Sequence, residues 1–182
     1  LLIDSLENVI IEADIANFER NYSVDGSPGS AHVKMLNDHL LQTRNKLDSL
    51  KSLANLYEGN PDYPQITVQL EEESMRIKRE QTEFSKKFVM ENPFSMACVL
   101  ALYQKFNNNT GEYVLNDLHT MRVAASALHT VYPGSGHVMA LYENTVRILQ
   151  QEQNEKLRRL VEEKGQNSPE IILPDPEGNE IA

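Results

Sequence analysis

Apolar residues recur at alternating steps of three and four positions over much of the chain, the spacing that places them on one face of an α-helix. The clearest stretch covers residues 33–57, and Gly59-Asn60-Pro61 ends it. A second stretch, residues 63–90, follows after a short loop and has weak polar positions at Ser74 and Gln81. Because a short connection leaves no other easy geometry, these two helices are expected to form an antiparallel hairpin.

Three more helices are predicted, over residues 94–106, 115–132 and 137–164. The first follows Asn92-Pro93, a cap residue with proline in the first turn, and it is apolar nearly all round, so we expect it at the centre of the core. The last becomes polar after Leu149. We therefore expect its second half to project from the body and to bridge to a further domain.

The two ends of the chain have the pattern of β-structure. Residues 1–14 contain two short extended pieces separated by a turn at 5–8, and a third piece, 22–24, ends at the turn cluster 25–29. Three prolines exclude a helix from the last segment, where 171–173 and 180–181 predict a hairpin around a turn at 175–178.

The whole pattern predicts a mainly α fold. About five helices form an antiparallel bundle or array, with short N-terminal β-strands and an extended C-terminal tail. We divide the chain into the end of a β domain at 1–28, a helical domain at 29–165, and a linker with the first strand or strands of another domain at 166–182.

Composition removes several classes of function. A formal net charge of −10 repels phosphate backbones, so no nucleic-acid partner is predicted. The longest apolar run falls far short of the roughly 20 residues of a membrane helix, so no membrane span is predicted. A single cysteine excludes an internal disulfide, a CxxC motif and a cysteine-rich zinc site within this chain.

Candidate chemical groups all have a simpler structural interpretation. Cys98 lies in the most apolar helix and is expected to be a buried, inert thiol. The histidines lack the i, i+4 spacing of a helical metal site, and the acidic runs 71–73 and 152–163 are interpreted as solvated faces. Gly134-Ser135-Gly136 is interpreted as a helix stop and restart rather than an anion-binding turn. We assign no catalytic, cofactor-binding or metal-binding residue and predict no cofactor; the histidines considered are His32, His39, His119, His129 and His137.

Several stretches, taken in order, resemble parts of one bacterial protein architecture. Residues 9–27, Val-Ile-Ile-Glu-Ala-Asp through Val-Asp-Gly-Ser, resemble the end of a β-rich domain of unknown function that precedes thioredoxin-like domains in envelope proteins. Glu-Asn-Pro-Phe-Ser-Met-Ala at 91–97 and Val-Tyr-Pro-Gly-Ser-Gly-His-Val at 131–138 resemble the helical linker of those proteins. Ser-Pro-Glu-Ile-Ile-Leu-Pro-Asp-Pro-Glu-Gly-Asn-Glu-Ile at 168–181 is similar to the opening of TlpA-like and AhpC/TSA thioredoxin-fold domains.

The resemblance implies a parent thiol–disulfide oxidoreductase in the periplasm or cell envelope, lipid-anchored through an N-terminal segment that precedes Leu1. In that family a CxxC after the first strands carries the chemistry, and Cys98 does not match it. The chain is then a non-catalytic helical module between a β domain and a truncated thioredoxin-like domain, which are its partners together with client proteins or further copies.

Two alternatives from other classes remain. The first is a helical scaffold or dimerisation domain with no redox role, in which the seam over residues 33–57 pairs helices between subunits. The second, a self-contained hydrolase or metal enzyme, has no motif in its favour.

Overall fold

The computed structural model describes residues 1–3, 6–14, 16, 22–107, 109–165, 173–174 and 180–181. The predicted mainly α fold is confirmed, since the described part contains five helices and only short strands. The helices are α1 (Pro28–Leu56), α2 (Tyr63–Glu91), α3 (Ala97–Tyr103), α4 (Leu118–Val131) and α5 (Gly136–Gly165). The strands are β1 (Ile10–Ala13), β2 (Tyr22–Asp25), β3 (Leu173–Pro174) and β4 (Glu180–Ile181).

Helix α1 begins five residues earlier than predicted, within the expected turn cluster. Ser27 is extended and its hydroxyl accepts a hydrogen bond from the Ser30 N–H, while Pro28 occupies the first turn. Serine followed by proline is a favourable helix start, because the side chain satisfies an orphan N–H and proline has none to satisfy. Only Gly26, with φ +78°, remains a turn residue there.

Helices α1 and α2 form the predicted antiparallel hairpin. Their side chains meet in reverse order, with His32 against Phe88 and Thr43 against Gln81. The apolar seam is buried at Leu36 and Leu40 but opens towards the connecting loop. At that end the side chains are exposed by 38% at Leu53, 80% at Leu56 and 54% at Val68.

Helix α3 is shorter than the predicted 94–106. Residues 92–95 form a turn closed by the Ser95 N–H to the Asn92 carbonyl, 2.9 Å, so the helix starts only at Ala97. At the other end Gln104 is extended, and the chain folds back so that the Phe106 N–H donates to the Glu112 carbonyl at 3.0 Å. This non-local pairing replaces the last helical turn that the local pattern favours. The predicted central position of α3 is confirmed, since four of its seven residues are buried.

The chain divides into two compact units, Leu1–Glu143 and Asn144–Ala182. In the first, one apolar core joins the first four helices with the beginning of α5. Its buried members are Leu36, Phe88, Val89, Ala97, Cys98, Ala101, Leu102, Leu115, Ala124, Ala125, Leu128, Val138 and Leu141.

At the N-terminus β1 pairs antiparallel with β2, with Ile11 opposite Val24 and Ala13 opposite Tyr22. The predicted first extended piece, at Leu1–Ile3, is not a strand. Instead the Leu2 N–H donates to the Ser30 hydroxyl at 3.1 Å, and the Leu2 carbonyl accepts from the Ser27 hydroxyl at 2.7 Å. The side chains at the start of α1 thus take the backbone groups that a β-ladder would need.

The second unit contains the polar half of α5, where every side chain from 150 to 162 is exposed. The expectation that this half projects from the body and bridges to a further domain remains a prediction. Strands β3 and β4 pair antiparallel where a C-terminal hairpin is predicted, with Leu173 opposite Ile181. Residues 171–172 of the predicted first strand and the turn at 175–178 lie outside the described residues. Among the described helices none is long and apolar enough to cross a membrane. The domain boundaries at 28 and 165 remain predictions.

Candidate functional site

Cys98 lies where the sequence places it, fully buried on α3. Its thiol donates to the Asn92 carbonyl across 3.1 Å. Burial raises the pKa of the thiol to about 12, because a thiolate would lose its hydration in the apolar core. A reactive cysteine needs access and an electropositive setting, so this side chain is a packing element.

Three of the five histidines pack against aromatic rings at contacts between helices, two of them stacked and one edge-on. His39 lies parallel to Phe84 with ring centroids 3.6 Å apart, and His32 meets the edge of Phe88 at 5.2 Å. His129 stacks on Tyr142 at 4.2 Å.

The other two histidines, His119 and His137, are exposed. In the described part of the chain no group of three or more His, Cys, Asp or Glu side chains is placed to hold a metal ion. Three histidines therefore contact aromatic rings between helices, and two lie on the surface.

The most organised polar group in the molecule is a buried network between α1 and α2, which we call the Gln81 network. Its members are Gln81, Thr43, Ser85 and His39. The Gln81 Oε1 atom accepts from the Thr43 hydroxyl at 2.8 Å and lies 2.6 Å from His39 Nδ1, while Gln81 Nε2 donates to the Ser85 hydroxyl at 3.1 Å. Gln81 and Ser85 have no exposed surface.

This arrangement assigns the tautomer of His39. Because a carbonyl oxygen only accepts, the Nδ1 atom beside Gln81 Oε1 carries a hydrogen. His39 and Phe84 also line an open cavity of about 410 Å³ next to Val24 and Met35. The network thus holds one imidazole in a fixed orientation at the edge of a cleft.

A second polar pair joins α1 to the turn before α3. His32 Nδ1 lies 3.0 Å from the Ser95 hydroxyl, and both residues line a cavity of about 330 Å³ with Leu2 and Tyr132. The spacing is that of a nucleophile and its base. However, Ser95 also accepts from the Ala97 N–H at 3.3 Å, and in the described residues no hydrogen bond links a carboxylate to His32. We therefore interpret the pair as a clamp on the turn that starts α3.

A third cavity, of about 480 Å³, is lined by charged residues between α1, α2 and the loop after α3. Lys78 donates to both carboxylate oxygens of Glu112, at 2.8 and 3.0 Å. Arg44 donates to the carbonyls of Lys105 and Phe106, at 2.6 and 3.0 Å. Arg44 and Lys78 therefore hold the loop after α3 against the α1–α2 hairpin, and their charged groups already have partners within the fold.

The remaining sequence candidates are not clustered. Glu73 pairs with Arg76 on an exposed helix face, and its hydrogen bond to that guanidinium lowers the pKa of the carboxyl. The acidic side chains from 152 to 162 are exposed. Gly134 lies between α4 and α5, where the Ser135 N–H closes a turn on the Tyr132 carbonyl at 3.1 Å. The stop-and-restart interpretation of that segment agrees with this geometry.

Sequence analysis did not single out the Gln81 network or Ser95 as a site. One signal was present, because Thr43 and Gln81 are polar residues at positions where both helical seams require apolar ones. A polar residue on the apolar face of each of two packed helices indicates a buried hydrogen-bonded pair, since burying a polar side chain without a partner costs free energy. Nothing in the local sequence marks Ser85 or Ser95.

No protein-family model, no curated protein and no solved structure matches this chain.

We predict that Gln81→Met destabilises the protein by about 1–3 kcal/mol, because the buried Thr43 and Ser85 hydroxyls lose their partner. Adding Thr43→Val to this variant is expected to recover part of the loss. Urea unfolding followed by circular dichroism measures both effects, with the exposed Gln150→Met as the matched control. A Gln81→Met chain as stable as the unmodified chain would contradict the role of the network.

We also predict that Cys98 in the folded chain reacts with a thiol-specific disulfide reagent far more slowly than in urea. At pH 8 the raised pKa alone reduces the thiolate fraction on the order of a thousandfold. A Ser126→Cys variant supplies an exposed thiol on α4 that should react at once. Equal labelling rates at the two cysteines would show that Cys98 is accessible.

Proposed function

We propose that this chain is a non-catalytic helical module of a thioredoxin-like thiol–disulfide oxidoreductase of the bacterial cell envelope. The observation that carries the proposal is the state of Cys98, which is buried, held to a backbone carbonyl and poorly ionised. Thiol exchange requires an accessible thiolate, so the redox chemistry belongs to a separate CxxC-bearing domain.

Two further features support this proposal. The β3–β4 pair lies in the segment that resembles the opening of a thioredoxin-like domain. At the other end the β1–β2 hairpin lies in the segment that resembles the end of a β domain. In this proposal the helices position those two domains, and the parent protein is periplasmic and lipid-anchored.

The helical body suits such a positioning role because its polar groups are used for structure. The Gln81 network fixes α1 against α2, and Arg44 fixes the loop after α3 to α1. A module that sets distances between domains needs this rigidity and no reactive group of its own.

The test of this proposal is the coding sequence that follows Ala182 in the gene. We expect a CxxC within roughly the next few dozen residues, followed by βαβ periodicity. In the purified parent protein, replacing both cysteines of that motif should abolish disulfide reductase activity, while Cys98→Ala should leave it unchanged. A following sequence without CxxC, or an activity lost with Cys98→Ala, would contradict the proposal.

A second candidate function, a scaffold that associates through the open end of the α1–α2 hairpin, is favoured by the apolar residues exposed there. Leu56 and Val68 are exposed by 80% and 54%, and Leu53 by 38%. Exposed apolar side chains grouped at one end of a hairpin are typical of helix–helix association.

For the scaffold candidate we expect light scattering at high concentration to give twice the mass of one chain. Introducing charge at the open end with Leu56→Glu and Val68→Glu should restore the single-chain mass, because a buried unpaired carboxylate is costly. Met90→Glu, at the opposite end of α2, is the control. A strict monomer at all concentrations would exclude this candidate.

A further inference from the structure

Exposed aliphatic side chains are concentrated at the N-terminus of the first unit. Within the first eleven residues, five large aliphatic side chains are exposed by 41% or more; they are Leu1, Ile3, Leu6, Ile10 and Ile11. Single exposed apolar residues are ordinary, but a group of this density marks a surface that a partner covers.

This surface is built on a strand pair that is fixed to the helical body. The Leu2 backbone is hydrogen-bonded to the Ser27 and Ser30 hydroxyls. The Lys34 ammonium lies 5.1 Å from the centre of the Tyr22 ring on β2. At Gly26 a Cβ atom would come within 1.9 Å of the Asn8 carbonyl oxygen, so the turn packs tightly against the preceding segment. The hairpin is therefore a platform and not a loose tail.

Strand β1 is the outer strand of this platform. In the described residues it pairs only with β2, and β2 lies on the side of α1, where Val24 lines a cavity with Ala31 and Met35. Alternate N–H and C=O groups of β1 consequently point away from β2 with no ladder partner in the described part. We call this row, along Ile10–Ala13, the β1 edge. Only another extended segment offers the complementary row of backbone groups.

The two faces of β1 differ in character. Ile11 and Ala13 share the face of their partners Val24 and Tyr22, towards α1. Ile10 and Glu12 lie on the opposite face, where Asp25 is the partner of Ile10. A strand added at the β1 edge therefore lies beside Ile11 and Ala13 on one face and beside Ile10 and Glu12 on the other.

The negative charge of residues 1–14 favours a basic strand as the partner of the β1 edge. Residues 1–14 contain four acidic side chains, Asp4, Glu7, Glu12 and Asp14. They contain no lysine, arginine or proline, although proteins often use lysine or proline to protect an edge strand from pairing. A second copy would bring the same negative charges together, whereas lysine or arginine opposite Glu12 would be attracted.

We propose that the β1 edge binds an extended segment of a partner protein by strand addition, and that this segment alternates basic with apolar residues. Its apolar side chains lie beside Ile11 on the face towards α1, and its basic side chains lie beside Glu12. The proposal does not depend on a redox parent protein, because its observations are confined to the N-terminal hairpin.

The experiment uses the 182-residue chain and the labelled peptide acetyl-Lys-Val-Lys-Thr-Lys-Val-Lys-amide. Fluorescence anisotropy measures binding, and hydrogen exchange measures protection of the β1 amides. We expect saturable binding with added protection at β1. The same peptide N-methylated at alternate residues should not bind, because it lacks the backbone donors of one edge.

Charge variants separate a local contact from general attraction. Glu12→Lys is expected to weaken binding roughly fivefold, through the loss of attraction and the gain of repulsion across the strands. Glu152→Lys on α5 changes the net charge equally and should weaken binding much less. The proposal survives only if these two variants differ.

Four outcomes would overturn the proposal. They are no binding, equal binding of the N-methylated peptide, equal effects of Glu12→Lys and Glu152→Lys, and protection, without any peptide, of the β1 amides that point away from β2. The last would arise if a second copy, or another segment of the same chain, already occupied the edge, and sedimentation velocity distinguishes these two occupants.

Discussion

The packing of α1 against α2 is the constraint on which the rest of the structure depends. Gln81 fixes the register of the two helices through its contacts with Thr43 and His39 on α1, because a shift of one helical turn would leave the buried Thr43 hydroxyl and the Gln81 Oε1 atom without each other. The other elements of the first unit use this pair as their base. Arg44 on α1 holds the loop after α3, and the start of α1 holds Leu2 near the N-terminus.

Much of this fold is predictable from local pattern. The two long helices follow from 3–4 periodicity, and the break between them follows from Gly59-Asn60-Pro61, whereas the start of α1 at Pro28 lies in residues predicted as a turn. The other errors occur where contacts distant in sequence decide the outcome. The last residues of the predicted third helix pair instead with Glu112, and Leu1–Ile3 is held by serine hydroxyls 25 and 28 residues away from Leu2. Neither partner can be read from a local window.

The same distinction applies to the candidate site. The inert state of Cys98 is predictable, since a thiol in a helix that is apolar all round has no route to water. The stacking of His39 on Phe84 joins residues far apart in sequence, so spacing within one helix could not reveal it. The buried polar groups hold the helices together. The groups that a partner could contact therefore lie on the surface, at the β1 edge and at the open end of the α1–α2 hairpin. That division is what the proposal of a positioning module requires.

Native-state hydrogen exchange along α1 and α2 tests the central claim most directly, because it reports the stability of each turn separately. We expect the greatest protection at residues 36–43 and 77–89, where the Gln81 network and the apolar core lie. Protection should fall steadily towards residues 50–56 and 63–70, at the open end of the hairpin. Uniform protection along both helices, or the greatest protection at the open end, would contradict it.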